Sequence, residues 1–279
     1  MSWLKQTAQR AIALLPKSKI LSDCCRYYYE HSIQGLSPFG ASCDMSNNGE
    51  LRLIRELAPG LKVVFDVGAN VGEWTRTLSS LNSKTTIHAF EPTIGAFSKL
   101  EAYNFPSNIH RHNLALSSYR GTAQVHLFGE ASGMNSLHNR HGLEDSNGLA
   151  PSTQSEEVKL ETLDAFCIAN SVRSIDFLKI DTEGHEVDVL IGSRECHLKG
   201  AIGYIQFEYG GTYIDSRRLL KDVFEFYSEF EYSLFLITPT GLLACPRYDQ
   251  RLENFQYNNF VAIRRDIISS TPSAVKAMR

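Results

Sequence analysis

Apolar residues at the start of the central region form a short continuous run and then a helical repeat. The run VVFDV, residues 63–67, is β-branched and aromatic, which is typical of a strand covered on both faces. Gly68 and Gly72 follow, and Trp74 and Leu78 then recur at helical spacing. Glycine lets the backbone turn sharply and approach a ligand closely. The pattern predicts a strand, a glycine turn and a helix.

Strand and helix patterns alternate through the rest of the chain. Apolar helix faces include Ile94 with Leu100, Leu163 with Phe166, and the segment 219–230. The alternation predicts an α/β fold, a doubly wound parallel sheet with helices on both faces. No helix pattern separates the last two runs, which predicts an antiparallel terminal hairpin. The runs typical of strands are TTIHAFEP (85–92), IHRHNLALSS (109–118), SIDFLKID (174–181), AIGYIQFEYG (201–210), YSLFLIT (232–238) and NNFVAIRR (258–265).

Two segments interrupt this alternation. Residues 120–128, RGTAQVHLF, alternate apolar and polar side chains, which predicts an inserted edge strand. Residues 129–157 are polar and rich in Gly, Ser, Asn and His. A loop of this length in a compact domain is usually either functional or disordered, and we favour a loop that gates access of the substrate.

Turn residues are frequent between positions 37 and 60, and they divide the chain. We predict a helical N-terminal extension at residues 1–48, a catalytic domain at 49–265 and a frayed tail at 266–279. Apolar residues from Trp3 to Leu15 line one side of the first helix. We expect this helix to dock onto the main domain, with weak association to a membrane surface as the alternative. No run approaches the roughly 20 apolar residues of a membrane-spanning helix.

Composition narrows the function classes. The 279 residues are 43% hydrophobic and carry a net charge of −3, so no global charge indicates a nucleic-acid partner. The six cysteines form no Cys-x-x-Cys pair and no zinc-like spacing with histidine. We therefore expect reduced thiols, a cytoplasmic location and no metal site built on cysteine.

An acidic residue at the end of the second strand indicates a nucleoside site. Glu91 lies nineteen residues after Gly72, and a carboxylate there accepts hydrogen bonds from both ribose hydroxyls. The glycine turn lacks the Gly-x-Gly-x-x-Gly that places a helix N-terminus at a pyrophosphate. Asp66, inside the strand end, repels a pyrophosphate but attracts a cation. The pattern favours S-adenosylmethionine, with its sulfonium and ammonium groups, over a dinucleotide.

A second group of ionisable residues follows the fourth strand. Asp181, Glu183, His185 and Glu186 surround Gly184, at the sheet edge where α/β proteins bind ligands. His185 is the first candidate for a catalytic base because imidazole titrates near neutral pH, and Glu183 and Asp181 come next.

Three alternatives stay open for these side chains. In the first, His185 has a structural role and packs or caps at the start of the helix. In the second, Asp181 orients the methionine end of the cofactor. In the third, Asp181 and Glu183 join Glu208 in holding Mg²⁺, although we predict no metal site.

Together, the motifs FDVGANVGEWT, AFEP, FLKIDTEGHE and IQFEY resemble those of the FkbM family of S-adenosylmethionine-dependent methyltransferases, over about residues 63–264. The resemblance implies a class I methyltransferase (Rossmann-like) fold whose seven-stranded sheet ends in an antiparallel strand. It also implies O-methylation of a hydroxyl, often on a sugar or a natural-product scaffold. The cofactor residues it implies are Asp66, Gly68, Asn70 and Gly72 around the methionine portion, Glu91 at the ribose and Pro92 beside it.

The third strand supplies further candidates, because the side chains of Asn113 and Ser117 carry amide and hydroxyl groups suited to an adenine. Two rival functions also remain. One is an NAD(P)-dependent oxidoreductase, disfavoured by the missing third glycine, and the other is a catalytically silent binding module with the same fold. Nucleic-acid methylation is a weaker variant, because no basic stripe with interleaved aromatics occurs.

Overall fold

A computed structural model describes residues 44–140 and 154–272 of the chain. Residues 1–43, which carry the predicted N-terminal helix, lie outside the described residues, as do residues 141–153 and 273–279. The strands of the described part, in chain order, are β1 Val63–Val67, β2 Thr86–Phe90, β3 Ile109–His112, β4 Ala115–Leu116, β5 Gly121–Leu127, β6 Gln154–Glu161, β7 Ile175–Ile180, β8 Ile202–Tyr209, β9 Tyr232–Thr238, β10 Gly241–Ala244 and β11 Asn258–Arg264.

Eight of these strands form one sheet in the order β10-β9-β11-β8-β7-β1-β2-β3. Strands β3, β2, β1, β7 and β8 are parallel, and β11 runs antiparallel to both of its neighbours, β8 and β9. This mostly parallel sheet with an antiparallel strand β11 confirms the predicted class I methyltransferase fold.

The strand count differs from the predicted seven. β10 folds back on β9 as an antiparallel hairpin and adds an eighth strand at the sheet edge. Its sequence, GLLA, spans four residues, which is too short for a periodic pattern to distinguish a strand from a loop.

Helices cover both faces of the sheet. They are α1 Glu50–Leu57, α2 Glu73–Leu81, α3 Ile94–Ala102, α4 Leu163–Ala169, α5 Glu186–Ile191, α6 Arg194–Leu198, α7 Thr212–Ser216 and α8 Leu220–Tyr227, with 3₁₀ turns at Ala58–Gly60, Gln250–Leu252 and Arg265–Ser270. Within residues 44–140 and 154–272, none of the helices has the length and apolar character needed to cross a bilayer.

Each face of the sheet has its own apolar core. On one face, Leu53 of α1 and Trp74 of α2 pack with Phe177 of β7, and the Trp74 and Phe177 rings stack with centroids 5.7 Å apart. On the other face, Phe90 of β2 and Phe166 of α4 meet edge to face at 4.8 Å. Trp74 thus joins helix to sheet, as its spacing predicts.

A second, three-stranded sheet in the order β4-β6-β5 changes two expectations. The predicted third strand, 109–118, ends at His112, and Ala115–Leu116 pairs with β6 instead. Strand β6 begins at Gln154, inside the segment predicted as loop. Polar and charged residues occupy its exposed positions and leave Val158 and Leu160 as its buried apolar side chains, so the strand signal is weak.

The described structure continues past both predicted domain boundaries. Asn48, in the predicted extension, is buried and its side-chain amide donates to Glu50. At the other end, Arg265–Ser270 forms a 3₁₀ helix, and Ile267 and Ile268 pack against the α1 side of the core. Contacts with the core therefore order part of the segment that local sequence suggests is frayed.

Two neighbouring histidines, on β2 and β3, lead us to expect that the folded chain is less stable at acidic pH. His88 Nδ1 lies 3.1 Å from His112 Nε2, and burial lowers the pKa of both rings to about 4. The unfolded chain binds protons below about pH 6.5 and the folded chain does not, so stability falls between about pH 6.5 and 4. The native protein loses unfolding free energy between pH 7.5 and pH 5.0. Because solvent screens these partly exposed rings, we expect this loss to be smaller by about 1 kcal/mol in His88→Gln.

Urea unfolding at the two pH values measures this loss, with His126→Gln as the control. An unchanged pH dependence in His88→Gln would contradict the assignment.

Candidate active site

A cavity of about 430 Å³ lies at the carboxyl ends of the parallel strands. Because these strands run in one direction, their carboxyl ends meet at one edge of the sheet, where α/β proteins bind ligands. The cavity is lined by Gly68 after β1, Glu91 after β2, Asp181 after β7 and Glu208 within β8. Its size falls in the range of small-molecule sites.

The glycine turn brings three strand ends together. The amide groups of Gly68 and Ala69 donate to the carbonyl of Phe90 at 3.0 and 2.9 Å. Gly68 has a φ of 83°, and a Cβ there would lie 1.7 Å from the carbonyl oxygen of Asp181. Gly72, with a φ of 86°, precedes α2 and faces Leu100, where a Cβ would come within 2.6 Å of the side chain. Gly68 therefore lines the cavity, whereas Gly72 serves helix packing.

Glu91 lines the cavity and also ties two loops together. One carboxylate oxygen accepts from the Asn70 amide at 3.0 Å, and the other accepts from the amide and hydroxyl of Thr93 at 2.9 and 2.6 Å. Burial raises its pKa. A carboxylate has about four acceptor sites, so these three bonds leave about one for a ribose hydroxyl.

Asp66 lies behind the cavity wall. It is fully buried, accepts from Thr75 Oγ1 at 2.6 Å and lies 3.8 Å from Lys179 Nζ. The same ammonium is closer to Asp181, at 2.8 Å from Oδ2. Burial raises the pKa of Asp66, whereas Lys179 and a hydrogen bond from Glu208 lower that of Asp181 against the effect of burial. Asp181 is therefore the residue that presents an ionised carboxylate to the cavity.

Two further carboxyl groups in the cavity hold protons more tightly. Burial and the neighbouring charge of Asp181 raise the pKa of Glu208 well above its ordinary value. Burial and Asp181 also raise the pKa of Glu183 to about 8, although Arg140 opposes the shift. Arg140 Nη1 donates to Glu183 Oε2 at 3.0 Å. The site thus combines ionised and protonated carboxyl groups, an arrangement suited to acid–base chemistry.

His185 lies at the cavity wall with both ring nitrogens engaged. Nε2 lies 2.9 Å from Ser117 Oγ, and Nδ1 lies 3.4 Å from His138 Nε2. Burial lowers the pKa of His185 to about 4, and His138 adds to the effect. The ring is therefore neutral at physiological pH and a weak base.

Seven of the predicted residues share the cavity, namely Gly68, Asn70, Glu91, Pro92, Asp181, Glu183 and His185. The other four do not line it. Asp66 and Gly72 support the turn from behind, and Ser117 is fully buried against His185. Asn113 donates to the carbonyls of Glu91 and Pro92 at 3.1 and 2.7 Å. Asn113 and Ser117 thus bond within the protein, and their contact with an adenine stays a prediction.

Part of the predicted loop, residues 129–140, lines the cavity, and its role in gating stays a prediction. Ser136 Oγ donates to the carbonyl of Glu183 at 2.7 Å, and Ser136 also bridges to His126. Ser132, Leu137 and Arg140 line the cavity from this segment. We call residues 129–140 the lid. The sequence pattern predicts a loop here but not its cavity residues, because Ser136 and Arg140 contact Glu183 from 47 and 43 positions away.

The magnesium alternative gains no support from the arrangement of side chains. Within the part of the chain that the structure describes, no three His, Cys, Asp or Glu side chains are grouped as metal ligands. Asp181 is already bound to Lys179, which occupies the position of a counter-cation.

Residues 66–234 match the profile of the methyltransferase FkbM domain. Methyltransferase 1 of Beauveria bassiana (strain ARSEF 2860) is 27% identical to this chain, over 50% of the chain and 61% of that protein. The 31-O-demethyl-FK506 methyltransferase FkbM of Streptomyces tacrolimicus is 30% identical, over 50% of the chain and 62% of that protein. The chain therefore spans about three fifths of the length of these curated relatives.

Two solved structures resemble the fold more distantly. A methyltransferase FkbM from Methylobacillus flagellatus KT has a TM-score of 0.45 at 15% identity, over 72% of this chain and 43% of that chain. The plantazolicin methyltransferase BpumL, in complex with a monoazolic desmethylPZN analog and SAH, has a TM-score of 0.43 at 8% identity, over 95% of this chain and 93% of that chain. Both TM-scores are below 0.5, so neither resemblance adds to the assignment.

Gly68→Ala tests how closely the turn approaches β7. An alanine combines a φ of 83° with a Cβ 1.7 Å from a backbone oxygen, so we expect unfolding free energy to fall by at least about 2 kcal/mol. Urea unfolding measures the change. Gly60→Ala is the control because nothing lies within 4 Å of its Cβ position. Equal stability of the two variants would contradict this geometry.

Proposed function

The chain belongs to the FkbM methyltransferase family, and we propose that it transfers the methyl group of S-adenosylmethionine to a hydroxyl of a sugar, a glycan or a natural-product small molecule. One observation carries the proposal. The glycine turn at Gly68, the acid Glu91 and the ionised Asp181 converge on one cavity at the carboxyl edge of the sheet.

The cavity suits the charges of this cofactor. S-adenosylmethionine carries a sulfonium, an ammonium and a carboxylate, and it has no phosphate. Asp181 offers an ionised carboxylate to the two cations, Arg140 offers a guanidinium, and Glu91 offers an acceptor to a ribose hydroxyl. The apolar lining at Phe90 and Leu116 suits an adenine ring. These features support S-adenosylmethionine over a nicotinamide dinucleotide.

The bound cofactor supplies an electrophilic methyl group, and the protein must hold an acceptor oxygen in line with it. Positioning of this kind lowers the barrier by removing orientational freedom before the reaction. The lid, held by Ser136 on the carbonyl of Glu183, would limit the access of water to the reacting groups. A hydroxyl acceptor also needs a base, because it is a poor nucleophile while it is protonated.

Glu183 is the best-placed base in this geometry. A catalytic base works best when its pKa lies near the operating pH, and the pKa of Glu183 is about 8. Asp181 has a lowered pKa and is held by Lys179, which suits it to electrostatic stabilisation of a cation. His185 is a weaker base, and Ser117 occupies its Nε2. The order of candidates therefore changes from His185 first to Glu183 first.

Glu91→Ala tests the cofactor assignment by isothermal titration. We expect the native protein to bind S-adenosylmethionine and S-adenosylhomocysteine with micromolar affinity. The variant should bind both compounds at least about tenfold more weakly, because a buried acceptor for a ribose hydroxyl is lost. The exposed Glu101→Ala is the control. No binding of either compound would sink the proposal. Binding of NAD⁺ instead would indicate an oxidoreductase, and binding without turnover a silent module.

The pH dependence of methyl transfer tests the base. Because Glu183 acts when deprotonated, kcat/KM for a hydroxyl acceptor rises with pH up to about 8 and then levels off. We expect Glu183→Gln to lower kcat by about 10²–10⁴-fold and to remove this limb.

His185→Gln serves as the matched comparison and keeps the limb. Transfer of radioactive methyl groups to a panel of sugars and hydroxylated scaffolds provides the assay. If the rise of kcat/KM with pH disappears in His185→Gln and persists in Glu183→Gln, the base is His185.

A further inference from the structure

Arg140 of the lid is a buried cation with spare hydrogen-bonding capacity. Its side chain is 10% exposed, and Nη1 donates to Glu183 Oε2 at 3.0 Å. Its Nε is buried and has no hydrogen-bond partner among the residues that the structure describes. A guanidinium has five N–H donors, so the contact with Glu183 leaves donors for another acceptor. A buried donor without a partner costs free energy, which a ligand acceptor at this position removes.

The charges around the cavity show what such an acceptor is. Four carboxyl groups, those of Glu91, Asp181, Glu183 and Glu208, line it. Of the described residues that line the cavity, Arg140 alone has a lysine or arginine side chain. Lys179 is behind the wall and bound to Asp181. Any anionic group of a ligand in this cavity therefore has one fixed positive side chain to pair with.

We propose that Arg140 binds the carboxylate of the methionine portion of S-adenosylmethionine. The inference rests on the proposed function, because it assumes that this cofactor occupies the cavity. The cofactor has a single carboxylate, and the guanidinium fork is the side chain best matched to two carboxylate oxygens. Arg140 would then distinguish the intact cofactor from analogues that lack this group.

The contact with Glu183 does not prevent this second bond. Burial and the charges of Asp181 and Glu186 favour the protonated form of Glu183, which leaves the positive charge of Arg140 incompletely neutralised. Because the guanidinium has five N–H donors, it can bind Glu183 through Nη1 and still donate to a ligand carboxylate through its remaining donors. Binding of the cofactor would thus fasten the lid, because Arg140 belongs to the lid and Ser136 already holds it.

Decarboxylated S-adenosylmethionine provides a direct test, because it lacks only the carboxylate. Isothermal titration would compare it with S-adenosylmethionine on the native protein, on Arg140→Gln and on Arg140→Lys. The neighbouring Asn139→Ala is the matched control, since Asn139 is an exposed lid residue. Thermal melting verifies that each variant is folded. Arg140→Lys keeps the charge but loses the fork, so it guards against an effect of misfolding in Arg140→Gln.

We expect the native protein and Asn139→Ala to bind the decarboxylated compound about 10- to 100-fold more weakly, the range of a charge-assisted hydrogen bond. Arg140→Gln should bind S-adenosylmethionine more weakly by a similar factor and no longer discriminate between the two compounds, with Arg140→Lys in between. Full discrimination in Arg140→Gln would overturn the proposal and leave the proposed function intact. The same holds if that variant binds the cofactor normally but raises KM for an anionic acceptor, which would assign Arg140 to the acceptor. Failure of the native protein to bind S-adenosylmethionine would instead refute the proposed function, and this inference with it.

Discussion

The buried ammonium of Lys179 is the interaction on which the site depends. Its residue is 6% exposed, and Nζ lies 2.8 Å from Asp181 Oδ2 and 3.8 Å from Asp66 Oδ1. Burial alone lowers the pKa of a lysine, but the carboxylates of Asp181, Asp66 and Glu50 raise it above its ordinary value, so the group stays charged. A buried ion without a partner costs several kcal/mol, so the ammonium must stay close to both carboxylates. Because Asp66 belongs to β1 and Asp181 follows β7, this requirement holds the ends of the two strands together. The glycine turn then fits against the carbonyl of Asp181.

One ammonium cannot neutralise every carboxyl group nearby, and this limit distributes the protons. Asp181 is closest to Lys179 and stays ionised, while Glu208 keeps its proton and donates a hydrogen bond to Asp181. Glu183 depends on Arg140, from a different part of the chain, and its pKa remains raised. The groups are coupled, so their titration belongs to the cluster as a whole. The result is an anionic position for a cation beside a carboxyl group that exchanges a proton near neutral pH.

A further buried hydrogen-bond network links this part of the sheet to helix α1. Glu50 accepts from Gln206 Nε2 at 2.6 Å and from Asn259 Nδ2 at 3.0 Å, so α1 is bonded to β8 and β11. Burial raises the pKa of Glu50, and Lys179 opposes the shift. Buried polar groups of this kind require partners in good geometry, and such a network favours one register of helix and sheet. Buried polar contacts thus help to fix α1 on the sheet, together with the apolar core.

The sequence by itself determined the order of strands and helices, the glycine turn, the acid after β2 and the ionisable group after β7. Those features are local: periodicity, glycine and short motifs reveal them without knowledge of the partners. Only the tertiary structure decided what each side chain does. It paired Ser117 with His185, placed Asp66 behind the wall, and brought Arg140 to Glu183 across 43 positions. It also added β10 and β6, whose short or charged sequences carry no clear period. Burial and distance between remote residues set the pKa values and hydrogen bonds, and these exist only once the chain has folded.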